Sequence, residues 1–274
     1  MEVIILPNLD QAALLTARIV DKELRARPEL VLGMATGRTM ERVYADLVEM
    51  HCQEGLNFSH CRTFNLDEYI GLPADHPNSY RRYMQEKLFD HVNIDPACTH
   101  LPNGVATNLA WECRSYEALI QAAGGIDLQL LGIGASGHIG FNEPISALAS
   151  RTREKALTPS TREQNAGMFG GDAEQVPPRA ITMGVGTILE AKRCILVATG
   201  SAKADIVAKA VEGPITSMVT ASALQLHPNC QVILDEDAAA ELQGKGYYRW
   251  IFHNELEWQE FQHLQAPGAR RAER

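Results

Sequence analysis

The chain has 274 residues, 45% hydrophobic and 22% charged, with a formal net charge of −9. That length suits one large α/β domain or two small ones, with enough core to do without disulfides or metals. An acidic surface excludes non-specific nucleic-acid binding, and any anionic ligand has to be held by a few local cations against the overall field.

In chain order, Val3–Leu6 reads as a strand, and Gln11–Arg27 has helical spacing and stops before Pro28. Leu30–Met34 is a second strand and Glu41–Met50 a second helix. Cys61–Leu66 is a strand that ends on the polar group Asp67-Glu68-Tyr69. Ser79–Phe89 and Trp111–Ala123 read as helices, and Ile126–Ile133 is a nearly all-apolar strand running into a Gly-rich loop. Arg153 to Pro178 is one long stretch without a clear strand. Its Gly170-Gly171 pair makes it loop-like, and a mobile segment of that length suits a lid. Strands follow at Ile181–Val185, Cys194–Ala198 and Val232–Leu234, with helices at Ala202–Val211 and Thr220–Leu226. Strand–helix alternation with continuously apolar strands predicts an α/β, doubly wound, mostly parallel sheet with helices on both faces. We expect one domain over residues 1–265 and a frayed tail over 266–274.

Six cysteines (Cys52, Cys61, Cys98, Cys113, Cys194 and Cys230) form no C-x-x-C pair, and the nine histidines form no metal-binding pattern. Met1 to Pro7 holds an apolar run of only four and is no signal peptide, and no segment approaches a membrane span. These features predict free thiols, no metal and a cytoplasmic setting.

Four polar clusters fall at predicted strand ends, where open parallel sheets bind ligands. Ala35–Thr39 is a strand-to-helix turn whose free N–H groups, with the Thr36 and Thr39 hydroxyls, suit a phosphate; Gly37 permits the tight turn. It is neither a P-loop nor G-x-G-x-x-G, and an ordinary capped turn is the alternative. Asp67 and Glu68 are adjacent at a strand end, so only one can face a given ligand. A partly desolvated carboxylate there suits a base, whereas a solvated loop acid does not. In the stretch Leu131–Pro144, around the Gly134–Glu143 cluster, four glycines allow close approach, His138 can exchange a proton near neutral pH, and Glu143 can orient it if the loop folds back. In Thr199–Lys203 a lysine opens a helix. That placement opposes the helix dipole unless an anion binds beside it.

The runs Thr63-Phe64-Asn65-Leu66-Asp67-Glu68-Tyr69, Gly137-His138-Ile139-Gly140-Phe141-Asn142-Glu143-Pro144 and Ser150-Arg151-Thr152-Arg153 resemble the glucosamine-6-phosphate deaminase family. Gln175-Val176-Pro177, Gly184-Val185-Gly186-Thr187 and Leu224-Gln225-Leu226-His227-Pro228 extend the resemblance over residues 1 to about 240. It implies a cofactor-free conversion of an amino-sugar 6-phosphate and water into a ketose 6-phosphate and ammonia. Asp67 then matches the base between C2 and C1, His138 the ring-opening acid/base and Glu143 its supporting carboxylate. Gly37, Thr39 and Lys203 match phosphate positions. Ser146, Arg153 and Lys155 match an activator site for an N-acetylated amino-sugar phosphate between subunits, which implies an allosteric homo-oligomer.

Three positions depart from the family pattern. Ser136 stands where the family carries Asp or Asn, Gly167 where a lid arginine contacts phosphate, and Arg38 where the phosphate loop has glycine. Arg38 is the candidate substitute guanidinium. Galactosamine 6-phosphate or another amino-sugar phosphate is the alternative substrate. The further alternatives are a 6-phosphogluconolactonase-like hydrolase, which needs no C2 base, and a non-catalytic sugar-phosphate sensor.

Overall fold

Runs of Val, Ile and Leu buried on both faces form the centre of the protein. The computed structural model describes residues 1–265; the tail expected at 266–274 lies outside them. In chain order the elements are β1 (Glu2–Leu6), α1 (Leu9–Ala26), β2 (Val31–Met34), α2 (Arg38–Glu54), β3 (Arg62–Asn65), β4 (Asp67–Tyr69), α3 (Tyr80–Lys87), β5 (Thr99–His100), α4 (Leu109–Ala122) and β6 (Leu128–Leu131). The second half adds β7 (Arg153–Ala156), α5 (Pro159–Asn165), β8 (Arg179–Thr182), α6 (Val185–Leu189), β9 (Arg193–Ala198), α7 (Ala204–Val211), β10 (Cys230–Asp235) and α8 (Lys245–Asn254).

Seven strands form a parallel sheet in the order β1-β10-β9-β6-β2-β3-β5. The chain winds outward from β2 through β3 to β5, then returns to lay β6 on the other side of β2 and continues to β9 and β10. The direction therefore reverses between β2 and β6, and in such sheets the crevice for ligands opens beyond the carboxyl ends of these two strands. Close contact between them has a local cause. Gly33 of β2 faces Gln129 of β6, and a side chain on Gly33 would overlap the Gln129 amide.

Helix starts around this crevice differ in a telling way. Asn8, Ser79 and Asn108 cap α1, α3 and α4 with side-chain oxygens. α2 begins at Gly37 (φ 118°) with no side-chain cap, so its first N–H groups remain free for a ligand.

The segment from 153 to 178 is not strandless, and Ile181–Val185 is not a strand of the parallel sheet. β4, β8 and β7 form a separate three-stranded antiparallel sheet, with Thr182 of β8 registered to both Asp67 and Arg153. β7 reads Arg-Glu-Lys-Ala and alternates half-buried with exposed residues, so it lacks the apolar signature of a strand. Val185 starts α6, because Gly184 packs so tightly on the Ser150 carbonyl that no Cβ fits there. Thr220–Leu226 is a 3-10 rather than an α-helix. A second, mainly aromatic cluster (Tyr69, Tyr80, Phe141, Leu157, Phe169, Val176, Ala180) lies with this small sheet, apart from the main core. Among the described residues no helix is long and apolar enough to cross a membrane.

Candidate active site

A cavity of about 540 Å³ opens at the carboxyl ends of β2, β6 and β9 and beside β4. Its size is ordinary for a small-molecule site. Thr36, Gly37, Arg38, Thr39, Asp67, His138 and Lys203 all line it, so three separate strand-end loops and β4 converge on one space. Ser136 and Glu143 do not line it. Among the described residues no cluster of three or more His, Cys, Asp or Glu could hold a metal ion.

The buried end of the cavity carries the titrating groups. β3 passes through Leu66 directly into β4, whose alternation sends Asp67 and Glu68 opposite ways. Glu68 turns from the cavity and accepts the backbone N–H groups of Tyr69, Tyr80 and Arg81 at 2.8, 3.0 and 2.9 Å, which fixes the start of α3. Asp67 faces the cavity, 6% exposed, and makes no side-chain hydrogen bond among the described residues. Burial, with a smaller contribution from the Glu68 charge, pushes its carboxyl up to about 8. A carboxylate so poorly solvated is a strong base for its class. Gly140 adopts φ 53°, and a Cβ there would lie 3.4 Å from Asp67 Oδ2 and 2.9 Å from Thr182 Oγ1. Glycine thus brings the loop after β6 close to the carboxylate.

His138 is held from behind. Its Nδ1 lies 2.9 Å from Ser136 Oγ and 3.4 Å from Glu143 Oε2. The loop folds back as expected, helped by the 2.9 Å bond from Gly134 N–H to the His138 carbonyl. Glu143 Oε1 accepts the Thr158 N–H and hydroxyl, both at 3.1 Å. Burial alone would raise Glu143, but the hydrogen bonds from His138, Thr161 and Thr158 outweigh it and hold the carboxyl down at about 2. Glu143 is therefore ionised at every physiological pH and supports one imidazole nitrogen, leaving the other ring edge beside Gly134. A side chain on Gly134 would overlap that edge, so this glycine admits the histidine rather than the ligand.

The outer end of the cavity carries positive charge and free N–H groups. Lys203 ends a 3-10 turn (Ser201–Lys203) and donates to the Ile133 carbonyl at 2.8 Å. Burial, and then the charge of Arg38, lowers its pKa. Two cations are thus held near each other; an anion between them relieves their repulsion. Arg38 is exposed, and Thr39 Oγ1 lies 3.3 Å from Thr199 Oγ1. Tyr83 donates to the Gly37 carbonyl at 3.0 Å and steadies the turn.

Ser146, Arg153 and Lys155 stand outside the cavity. Arg153 donates to Asn142 Oδ1 at 2.8 Å, while its Nη2 and the Ser146 hydroxyl are buried without a hydrogen-bond partner.

The family model for glucosamine-6-phosphate isomerases/6-phosphogluconolactonase matches residues 8–233. A glucosamine-6-phosphate deaminase of Hahella chejuensis is 51% identical over 251 residues, covering 92% of this chain and 95% of that protein. One from Arthrobacter sp. is 48% identical over 259 residues, covering 94% and 99%. The chain belongs to the glucosamine-6-phosphate isomerase/6-phosphogluconolactonase family. A solved monomeric glucosamine-6-phosphate deaminase superposes with TM-score 0.86 at 43% identity, over 88% of this chain and 100% of that one. A 6-phosphogluconolactonase from Trypanosoma cruzi, at TM-score 0.72 and 19% identity over 88% and 97%, shares the fold.

Within this family fold, several cavity residues escaped sequence reasoning. Tyr80 enters because Glu68 anchors the start of α3, and Gln164, Asn165 and Met168 enter from α5 and the turn after it. No local pattern marks these four; their positions follow from how the small sheet folds over the crevice. Gly134 was visible as part of a Gly-rich loop, but its function of admitting the His138 ring was not.

Proposed function

We propose that the protein isomerises and deaminates glucosamine 6-phosphate, giving fructose 6-phosphate and ammonia. The observation that carries this reading is Asp67: a buried carboxylate without hydrogen bonds among the described residues, lining the same cavity as His138. Lactone hydrolysis has no need of such a base, because it moves no carbon-bound proton. Support also comes from the deaminase relatives at about half identity over nearly the whole chain.

His138 moves a proton between the anomeric hydroxyl and the ring oxygen, opening the pyranose to its aldehyde. Ser136 and Glu143 hold the imidazole for this. The aldehyde acidifies the C2 hydrogen. Asp67 takes that proton, an enolamine forms, and Asp67 returns the proton to C1. The C2 imine then adds water and the carbinolamine expels ammonia, leaving the ketone. Thr36, Gly37, Thr39, Lys203 and the free N–H groups of α2 bind the phosphate, with Arg38 as the added guanidinium. Binding energy from this remote group orients the reacting carbons.

Residues 153–178 serve as the lid, anchored at β7 and mobile through α5 and the turns after it. An N-acetylated amino-sugar phosphate at Ser146, Arg153 and Lys155 acts as activator in a homo-oligomer; the buried, unpaired Ser146 hydroxyl and Arg153 Nη2 favour a ligand there. The setting is cytoplasmic, in keeping with six free cysteines. Ammonia release over a panel of glucosamine 6-phosphate, galactosamine 6-phosphate and 6-phosphogluconolactone tests the reading. Release from the first sugar is expected. Lactone hydrolysis without ammonia release from either amino sugar overturns it, and preference for the second sugar changes the substrate.

A further inference from the structure

The carboxyl end of α5 reaches across the cavity and ties to both of its walls. Gln164 Oε1 accepts the Ala135 N–H at 3.1 Å, in the loop that carries His138. Its neighbour Asn165 donates from Nδ2 to the Tyr69 hydroxyl at 2.9 Å, in the small sheet that carries Asp67. Both residues line the cavity. The Gln164 oxygen is engaged, yet its nitrogen has no partner among the described residues. Gln164 is exposed where it lines the cavity, and the bond from Ala135 restricts the orientations of its amide and so the reach of the nitrogen.

That nitrogen has two N–H donors and no acceptor capacity. It therefore selects an oxygen and rejects a protonated amine. The phosphate oxygens already have Lys203, Arg38 and the open end of α2. The remaining acceptors on an amino-sugar phosphate are the hydroxyls of the carbon chain between the phosphate and the reacting carbons. A neutral amide also suits a cavity that Asp67 lines, because a further charge would disturb that carboxyl.

We propose that Gln164 is a specificity-determining residue that donates from Nε2 to a hydroxyl in the middle of the sugar, at C3 or C4. This rests on the sugar-phosphate reading of the cavity given above. The closing experiment measures binding rather than turnover, so the two can fail separately. The probe is 2-amino-2-deoxyglucitol 6-phosphate, an open-chain alditol that cannot enolise, with its 3-deoxy and 4-deoxy forms. Calorimetry on wild type and Gln164→Ala is expected to give about tenfold weaker binding of the full probe by the variant, the size of one lost hydrogen bond. One deoxy form should lose the same factor on wild type and nothing further on the variant. Inorganic phosphate should bind both proteins equally. Equal affinity of both proteins for the full probe overturns the proposal, as does a loss of the same size on both deoxy forms and on inorganic phosphate. Failure of the wild type to release ammonia bears only on the activity.

Discussion

The two ends of the cavity are built on opposite principles. At the buried end, the titrating groups are few and each is withdrawn from water: Asp67 is desolvated without a partner, whereas Glu143 is desolvated but hydrogen-bonded. The same burial therefore leaves one carboxyl at about 8 and the other at about 2. At the outer end, the groups suited to an anion are spread over backbone N–H groups, hydroxyls and two cations, one of them exposed. A site with concentrated chemistry and distributed binding should respond very differently to substitution at its two ends.

The largest effect should follow Asp67→Asn, which keeps shape and removes basicity. Turnover should fall by about 10²-fold or more, as for loss of a general base, with phosphate binding intact. Turnover near that of wild type breaks the comparison at once. In the wild type, kcat/KM should rise with pH up to about 8 as Asp67 ionises in the empty site. Stability should run the other way. The unfolded chain ionises near the ordinary value of 3.8 and the folded one near 8, so the fold loses stability as pH rises across that window. Asp67→Asn should remove this loss, a gain on the order of a few kcal/mol at alkaline pH that is absent below pH 4. Urea melts of both proteins at two pH values check the sign.

Gly134→Ala should come next. The added methyl group overlaps the imidazole edge of His138, so the ring must turn from its Ser136 and Glu143 supports. A turnover loss of roughly tenfold or more is expected, with little change in KM. Unchanged steady-state kinetics would place the working edge of His138 elsewhere.

At the outer end the effects should appear in KM and divide unequally. Lys203→Ala removes a half-buried charge and should raise KM by about tenfold or more, consistent with a hydrogen bond to a charged group. Arg38→Ala removes an exposed one, so its effect should be a few-fold and should shrink as salt is added. Comparable, salt-independent losses for both would make Arg38 a full partner of the phosphate.

Gly167→Arg should have the smallest effect, and a favourable one. Nothing lies within 4 Å of a Cβ at this position, so a side chain fits without strain. A guanidinium there can pair with phosphate bidentately and should lower KM a few-fold. An unchanged KM would place the segment after α5 too far from the anion. Hydrogen exchange over Pro159–Gln175, with and without a bound sugar phosphate, measures the same closure directly.

Sequence by itself determined the parallel sheet, the strand-end placement of three of the four polar clusters and the division between Asp67 and Glu68. These follow from periodicity and alternation, which are local. It also placed Thr36, Lys203 and His138 at strand ends that proved to share one cavity. Only the tertiary structure decided that Arg153–Ala156 and Arg179–Thr182 leave the main sheet to form a second one with β4, because a short charged strand carries no burial signal until its partner is known. It decided too that Gln164 and Asn165 reach the cavity. The opposite ionisation of Asp67 and Glu143 was also beyond local pattern: hydrogen bonds from His138, Thr161 and Thr158, the last two well along the chain from Glu143, hold one carboxyl charged, and the other has none among the described residues. How strongly a carboxyl holds its proton depends on which groups surround it in space, and the chain order does not contain that information.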